Sequence, residues 1–333
     1  MICPEALGGK AAPLQNPSFV EFKKDMEADG ITVVDLTDDF SALRRSGVEP
    51  FLKTDTHWTI EGMKLAARRI AAAIMERPQE PRPVRTAEVT GLGDIAAMLK
   101  LADARRFFPA ETVHVADYGV RSDRGSDVLL LGDSFTNIYS SPALNWGEHG
   151  GLAETLGAMR GIPVDAIIRN DAGAFATRQL LANELKRGRD RLEGKKVVIW
   201  EFAIRELANG DWKMIELSLG KKSEASQADT GTVLAKVLKI SAVPRPHSAP
   251  YKDHVVSMYL ELDNGNKVVV YAVSMRDNVW TNAARMKVGD SVTVKLEPWE
   301  KREAEYGSWN RSEFDDEELA LAEPFFGEVI SVK

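Results

Sequence analysis

An aspartate, a histidine and a serine in this chain are spaced so that they can form an activated nucleophile. Asp55 and His57 lie two residues apart in Lys53-Thr54-Asp55-Thr56-His57-Trp58-Thr59, and Ser134 follows Leu130-Leu131-Gly132-Asp133. A serine hydroxyl is a weak nucleophile at neutral pH and needs a neighbouring base to take its proton. Imidazole suits that role because its unperturbed pKa is about 6.5. A carboxylate then fixes the tautomer and stabilises the imidazolium that forms. Asp55 and His57 point the same way if the stretch is extended; in the alternative geometry the carboxylate holds one ring nitrogen from a turn. Ser134 follows an apolar run through Gly132, and Phe135 can begin a helix. That places the hydroxyl at the carboxyl end of a strand, where ligands bind in open α/β sheets. Backbone amides at the helix start can stabilise an oxyanion. The segment is not a Gly-x-Ser-x-Gly elbow, because Thr136 stands where the second glycine belongs.

Plainer readings compete at each position. An isolated Gly-Asp-Ser is common, and an isolated Asp-x-His is more often a surface turn or a satisfied histidine. Asp55 and His57 can also ligate a metal, although no second histidine or carboxylate cluster sits at ligand spacing nearby. Trp58 can stack on a sugar or pack beneath a helix start.

The elements that must position these residues read as alternating strands and helices. Apolar, β-branched runs at 31–36, 128–131, 164–168 and 197–202 are nearly continuous, as in strands covered on both faces. Between them, Ile60, Met63, Ala67, Ile70 and Ile74 recur at helical intervals, with Thr59 as the cap and Glu61 suiting the N-terminal end. Residues 151–160 and 177–191 also read as helices, 77–85 as a proline-bearing loop and 91–108 as helical again. Alternation of this kind predicts a parallel α/β sheet. The texture changes after about residue 219. Residues 220–230 are polar and read as a linker; strands follow at 233–240, 254–262, 267–273 and 291–296, with turns at Asp263-Asn264-Gly265-Asn266 and Val288-Gly289-Asp290. About five strands in a hundred residues suggest a small closed β-barrel, OB-like. The expected division is therefore 1–219, a linker at 220–230, and a barrel at 231–333.

Bulk properties narrow the function. The 333 residues carry a net charge of −7, with no basic footprint for nucleic acid. Hydrophobic content of 44% is that of an ordinary globular protein, and no apolar stretch approaches the ~20 residues of a membrane span. The start, Met1-Ile2-Cys3-Pro4-Glu5, lacks the basic leader and apolar stretch of a signal peptide. Cys3 is the single cysteine, which excludes an intrachain disulfide and any cysteine-based zinc site but leaves the compartment open.

Thr54-Asp55-Thr56-His57-Trp58-Thr59, with Gly62 after it, resembles the Asp-x-His-Trp signature of the alginate O-acetyltransferase family, in its AlgJ/AlgX-like branch of the SGNH hydrolase superfamily. Leu131-Gly132-Asp133-Ser134-Phe135 is similar to the family's nucleophile block, and 198–205, ending in Glu201 and Arg205, resembles its late strand. The three matches fall in the family's order and cover about residues 1–210. The resemblance implies a flavodoxin-like sandwich with Ser134 as nucleophile, His57 as base and Asp55 as its orienter. It also implies an oxyanion hole completed by a glycine and an asparagine, for which Gly173 and Asn145 are the candidates beside Ser134 itself. Trp58 and Arg205 are candidate substrate contacts, and Arg205 can equally pair with Glu201 or another acid. No cofactor or metal is implied. The implied acceptor is an exported polysaccharide, with the acetyl group delivered by a membrane-bound acyltransferase, in the periplasm. Relatives of this kind carry a further strand and an anchor or signal ahead of Ile2-Cys3-Pro4-Glu5, so the chain reads as beginning inside the domain. Pro244-Arg245-Pro246, Tyr251-Lys252-Asp253 and Met275-Arg276-Asp277-Asn278 resemble loop motifs of segments appended to some members. Trp280, Trp299, Tyr306 and Trp309 offer stacking faces for a glycan there, or simply pack the barrel. The nearest rival activity is an acetylesterase using water as acceptor, and the non-enzymatic rival is a polysaccharide-binding scaffold.

Overall fold

The run at 128–131 is apolar at every position because it becomes the covered middle strand of a sheet. In a computed structural model, which describes residues 17–171, 173–221, 230–248, 251–314 and 316–332, it forms a fully buried strand. The strands of the first half are β1 (Arg85–Gly91), β2 (Glu111–Asp117), β3 (Val128–Gly132), β4 (Asp165–Ile168) and β5 (Val197–Trp200). β3 lies between β4 and β5, parallel to both, with Leu130 opposite Ala166 on one side and Ile199 on the other. Successive side chains of a strand face opposite ways. Val128 and Leu130 accordingly join the core formed with the helices Ile60–Ile74 and Leu152–Arg160, while Leu129 and Leu131 meet Leu181 and Leu185 of the helix Ala176–Lys186. Helices thus cover both faces, as expected for a parallel sheet.

The sheet is smaller than anticipated. Residues 31–36 form no strand: Val34 and Leu36 pack half-buried against the core, Ile31 is largely exposed, and the segment joins no ladder among the described residues. The apolar run is used for packing rather than pairing. The helix expected over 177–191 spans Ala176–Lys186 and ends where Gly188 turns left-handed, at φ 76°. Residues 91–108 do not form one helix. They hold two short ones, Asp94–Met98 and Ala104–Phe107, inside a hairpin of β1 and β2 that begins where the proline-bearing loop ends.

The helix Ile60–Ile74 begins as expected, with the Thr59 hydroxyl accepting the Gly62 N–H at 3.1 Å. Gly62 is required by close approach, since a Cβ there would lie 2.3 Å from the Pro50 carbonyl oxygen. Pro50 is held in place by Thr59, whose N–H donates to that carbonyl at 2.9 Å.

The second half is a barrel built from β6 (Gly231–Ile240), β7 (His254–Leu262), β8 (Lys267–Arg276), β9 (Val279–Trp280), β10 (Ser291–Pro298), β11 (Arg311–Ser312) and β12 (Pro324–Val332). β7 pairs with both β6 and β8, which closes the circuit β6–β7–β8–β12–β10–β6. Its only parallel contact is β8 against β12. Val237, Met258, Leu260, Val270, Val294 and Leu296 fill the interior. The turn at Asp263–Asn266 joins β7 to β8, with Gly265 at φ 83°. The turn at 288–290 leads instead from a short 3-10 helix into β10 and bonds to β6 through Val237.

The two halves meet through Arg169, which donates to Arg311 O at 3.0 Å and pairs with Glu313. Arg187 donates to Ala320 O at 2.6 Å, and Arg124 pairs with Glu303. Cys3, the segment Ile2-Cys3-Pro4-Glu5 and most of the expected linker lie outside the described residues.

Candidate active site

Residues 53–57 make a reversal rather than a strand, with Leu52 N–H bonded to His57 O at 3.0 Å. Asp55 Oδ1 accepts the His57 backbone N–H at 3.1 Å and lies 2.5 Å from His57 Nδ1. The turn geometry, not the extended one, therefore joins acid to base. Asp55 Oδ2 accepts Trp146 Nε1–H at 2.8 Å and the Asp94 N–H at 3.0 Å. Burial pushes the Asp55 carboxyl up, but its bonds to His57, Trp146 and the Asp94 amide outweigh that and hold it below the usual carboxylate range.

The hairpin clamps this reversal. Glu111, the first residue of β2, accepts Lys53 N–H and Thr54 N–H at 2.8 Å each and the Thr54 hydroxyl at 2.5 Å. Gly93 donates to the Thr54 hydroxyl at 3.0 Å, and a Cβ on Gly93 would sit 2.3 Å from Thr54 O.

Ser134 opens a four-residue helical turn directly after β3, with Asp133 as the cap accepting Phe135 N–H at 2.8 Å. Its Oγ lies 2.8 Å from His57 Nε2, so residues 77 positions apart complete an Asp-His-Ser relay. All three side chains are buried; Ser134 is 1% exposed. The turn is tight because a Cβ on Gly132 would lie 2.3 Å from the Thr136 hydroxyl. Glu201, just past β5, supports it from below by accepting Asp133 N–H at 3.0 Å and the Thr136 hydroxyl at 2.8 Å. Burial and the adjacent Asp133 carboxylate push the Glu201 carboxyl well above its ordinary value.

The remaining expectations divide. Gly173 does stand at the nucleophile turn, where a Cβ would lie 2.8 Å from Asp133 Oδ2; Ala172 beside it is outside the described residues. Asn145 takes a different place: it ends a 3-10 turn at φ 64° and lines a cavity against the hairpin with Arg85, Ala87 and Val89. The asparagine near the turn is Asn170, which follows β4 and accepts Asn137 Nδ2–H at 2.8 Å. Trp58 is no sugar platform. It is 5% exposed, packs edge-on to Phe135 at 5.3 Å, and belongs to the core because the helix it precedes covers it. Arg205 pairs with Glu206 at 4.0 Å rather than with Glu201, because Glu201 turns inward beneath Ser134. The Arg205 guanidinium, half-exposed, lies 5.7 Å above the Phe135 ring. In the barrel, Trp299 and Tyr306 are buried and Trp309 packs against Tyr306, whereas Trp280 remains 40% exposed.

Sequence spacing hid one acidic neighbour: ligand-type atoms of Asp55, His57 and Asp94 lie within 4.8 Å of one another. Their polar atoms are already engaged. Asp94 accepts the Thr56 N–H and hydroxyl, and Asp55 and both imidazole nitrogens serve the relay. A cation there would have to break the relay.

A family model matches the α/β half of the chain. The profile of the SGNH hydrolase-like domain of acetyltransferase AlgX matches residues 1–204. A protein of Pseudomonas fluorescens named probable alginate O-acetylase AlgJ is 30% identical over 222 residues, covering 61% of this chain and 53% of that protein. The chain thus spans about half the length of that relative. Its namesake in Pseudomonas syringae pv. tomato is 37% identical over 82 residues, or 24% of this chain and 21% of that protein. Among solved structures, the O-acetyltransferase domain of Pseudomonas putida AlgJ aligns with a TM-score of 0.40 at 22% identity, covering 60% of this chain and 68% of that one.

Proposed function

Because the chain belongs to the SGNH hydrolase-like domain family of acetyltransferase AlgX, we propose that it transfers acetyl groups to hydroxyls of a polysaccharide through an acetyl-serine on Ser134. The observation that carries this reading is the 2.8 Å approach of His57 Nε2 to Ser134 Oγ, with Asp55 fixed on the other ring nitrogen. Ser134 Oγ attacks the carbonyl carbon of the acetyl donor while its proton passes to His57. The carbonyl electron pair moves onto oxygen, then returns as the donor's leaving group departs with the proton from His57. A sugar hydroxyl, deprotonated by the same imidazole, attacks the acetyl carbon; the bond to Ser134 Oγ breaks, that oxygen takes the proton back from His57, and the O-acetyl sugar leaves. The Ser134 and Gly173 amides and Asn170 are the candidates for holding the oxyanion, since they surround the nucleophile turn. Arg205 supplies a half-exposed cation near the site for an acidic sugar.

The name of these relatives makes alginate, an acidic polysaccharide, the first acceptor to try. We further propose delivery of the acetyl group by a membrane-bound acyltransferase and a periplasmic location. The barrel is proposed to be OB-like, since a five-strand circuit closed by one parallel contact, β8 with β12, fits that arrangement. A chromogenic acetyl ester with and without added oligosaccharide tests the activity. Faster turnover with acetylated sugar, abolished in Ser134→Ala, is the expected result. Hydrolysis indifferent to sugar would make the protein an esterase, and ester turnover unaffected by Ser134→Ala would end the nucleophile reading.

A further inference from the structure

The three loop motifs of the second half form one cluster at one end of the barrel. Asn278 N–H bonds to Lys252 O at 2.8 Å, and Asp277 N–H bonds to Asp253 Oδ1 at 2.8 Å. Lys252 Nζ meets Asp277 Oδ1 at 2.8 Å. Asn278 Oδ1 accepts His247 N–H at 2.9 Å, and Trp280 Nε1–H reaches Pro244 O at 2.9 Å. The cluster is braced on several sides, and it directs one side chain out of the barrel towards the α/β half. That side chain is Tyr251.

The Tyr251 hydroxyl donates to the Asn170 carbonyl, just past β4, and the Ser134 hydroxyl is near enough to bear on its ionisation. Asn170 is itself held from both halves, by Asn137 Nδ2 and through its N–H to Ser308 O at 3.4 Å. The phenol therefore reaches the edge of the nucleophile turn from a different folding unit than the Asp-His-Ser relay does. We propose that Tyr251 is a catalytic residue supplied by the barrel, a hydrogen-bond donor to the oxyanion that forms when Ser134 attacks the acetyl carbonyl. This inference rests on the acetyl-serine reading above.

The chemistry requires no proton transfer from the phenol. As Ser134 Oγ bonds to carbon, the carbonyl pair localises on oxygen and the Ser134 proton goes to His57. Rotation of the Tyr251 O–H about its C–O bond redirects its hydrogen from the Asn170 carbonyl to that oxygen, and back again when the carbonyl re-forms. Burial pushes the phenol above its ordinary pKa, despite the opposing Ser134 hydroxyl and Arg205 charge, so it keeps the proton it must offer. A preorganised donor in a water-poor site acts where charge develops. The barrel thereby becomes part of the catalytic site, whatever glycan it also holds.

Tyr251→Phe keeps the ring and removes the donor. On the intact chain, kcat for a chromogenic acetyl ester should fall about 100-fold, the effect of losing one such donor, with KM and melting temperature little changed. Arg187→Ala, which removes contacts to Leu321 O and Ala320 O between the halves but leaves the phenol, should keep most of the rate. Equal losses in the two variants would make Tyr251 a docking group and overturn the proposal. So would a normal rate in Tyr251→Phe alongside an inactive Ser134→Ala, an outcome that leaves the acetyl-serine reading intact. Full turnover in Ser134→Ala would instead remove that reading and this inference with it. If Tyr251→Phe melts at lower temperature, a fluorotyrosine at Tyr251, a stronger donor of nearly the same shape, must change kcat; an unchanged kcat refutes the role.

Discussion

Glu201 supports the nucleophile turn with a carboxyl that burial pushes upward in pKa, and this has a measurable consequence for stability. Its carboxyl accepts the Asp133 N–H and Thr136 hydroxyl, and burial together with the neighbouring Asp133 charge raises its pKa well above its ordinary 4.5. Between 4.5 and the raised value the folded protein keeps a proton that the unfolded chain has released. Stability linked to this group is fully present below the unfolded pKa and falls as pH rises through the window. One proton sets the limiting slope at about 1.4 kcal/mol per pH unit. For a chain of this size that is roughly 2–4 °C of melting temperature per unit. In Glu201→Gln the amide oxygen still accepts from Asp133 N–H and Thr136, the amide nitrogen can donate to the Asp133 carboxylate, and nothing titrates. Melting temperatures of both proteins from pH 4.5 to 8 give the difference due to the Asp133–Glu201 pair, because titrating groups away from it cancel. The variant should gain on the wild type as pH rises, by up to that slope, and keep ester turnover at neutral pH. Parallel curves would mean that the carboxyl is ionised in the folded protein and that the account of the turn is wrong.

Other outcomes follow from the same geometry. Asp55→Asn keeps the shape of the reversal but loses the charge that fixes the His57 tautomer, so kcat should fall by about 10⁴ with the fold intact by circular dichroism. Gly93→Ala drives a Cβ to 2.3 Å from Thr54 O and 2.5 Å from Asp55 Cβ, and should cost about 1–3 kcal/mol in denaturant titration together with most of the activity. Arg205→Ala should raise the acceptor KM for an acidic oligosaccharide more than for a neutral one. Trp58→Phe, at a core position, should lower the melting temperature while leaving the acceptor KM unchanged.

What the sequence made legible was local. The Thr59 cap, the Ser134 turn after β3 and the pairing of Asp55 with His57 each depend on a few neighbouring residues or on apolar period. The groups that hold the relay together depend on distant ones. Trp146 is 91 residues from the Asp55 it bonds, Glu111 is 57 from Thr54, and Asp94 is 39 from Asp55. No periodicity links such pairs, and a single glutamate at a strand start carries no mark of what it will clamp. The run at 31–36 misled in the opposite sense, because its composition reports burial and not whether a neighbouring strand is there to pair. β12 carries no strand signature, since Pro324 and Gly327 look like breakers. Pro324 begins the strand, and Gly327 lies where Val270 and Val294 approach so closely that a Cβ would meet them at 2.4 and 2.9 Å.

Burial of the relay bears on the choice of acceptor. A sugar hydroxyl at about 1 mM competes for an acetyl-serine with water at about 55 M, a handicap of roughly 6 kcal/mol. Nothing in the Asp-His-Ser chemistry distinguishes the two hydroxyls, so a transferase must overcome the difference by excluding one and positioning the other. Burial works toward exclusion, for Ser134 is 1% exposed, with His57 and Asp55 at 4% each. Positioning must come from outside the relay, since effective molarities of 10⁵ M or more require an oriented acceptor. Arg205 above Phe135 is a half-exposed cation close to the nucleophile turn, and the loop cluster carrying Tyr251 is a part of the barrel that reaches its edge. Removing the barrel would uncover the Ser134 side of the interface, so the transfer-to-hydrolysis ratio should fall more steeply than total ester turnover whenever the halves are loosened. Arg187→Ala assayed for both products measures that ratio, and a ratio equal to wild type would show that water is kept out by the α/β half alone.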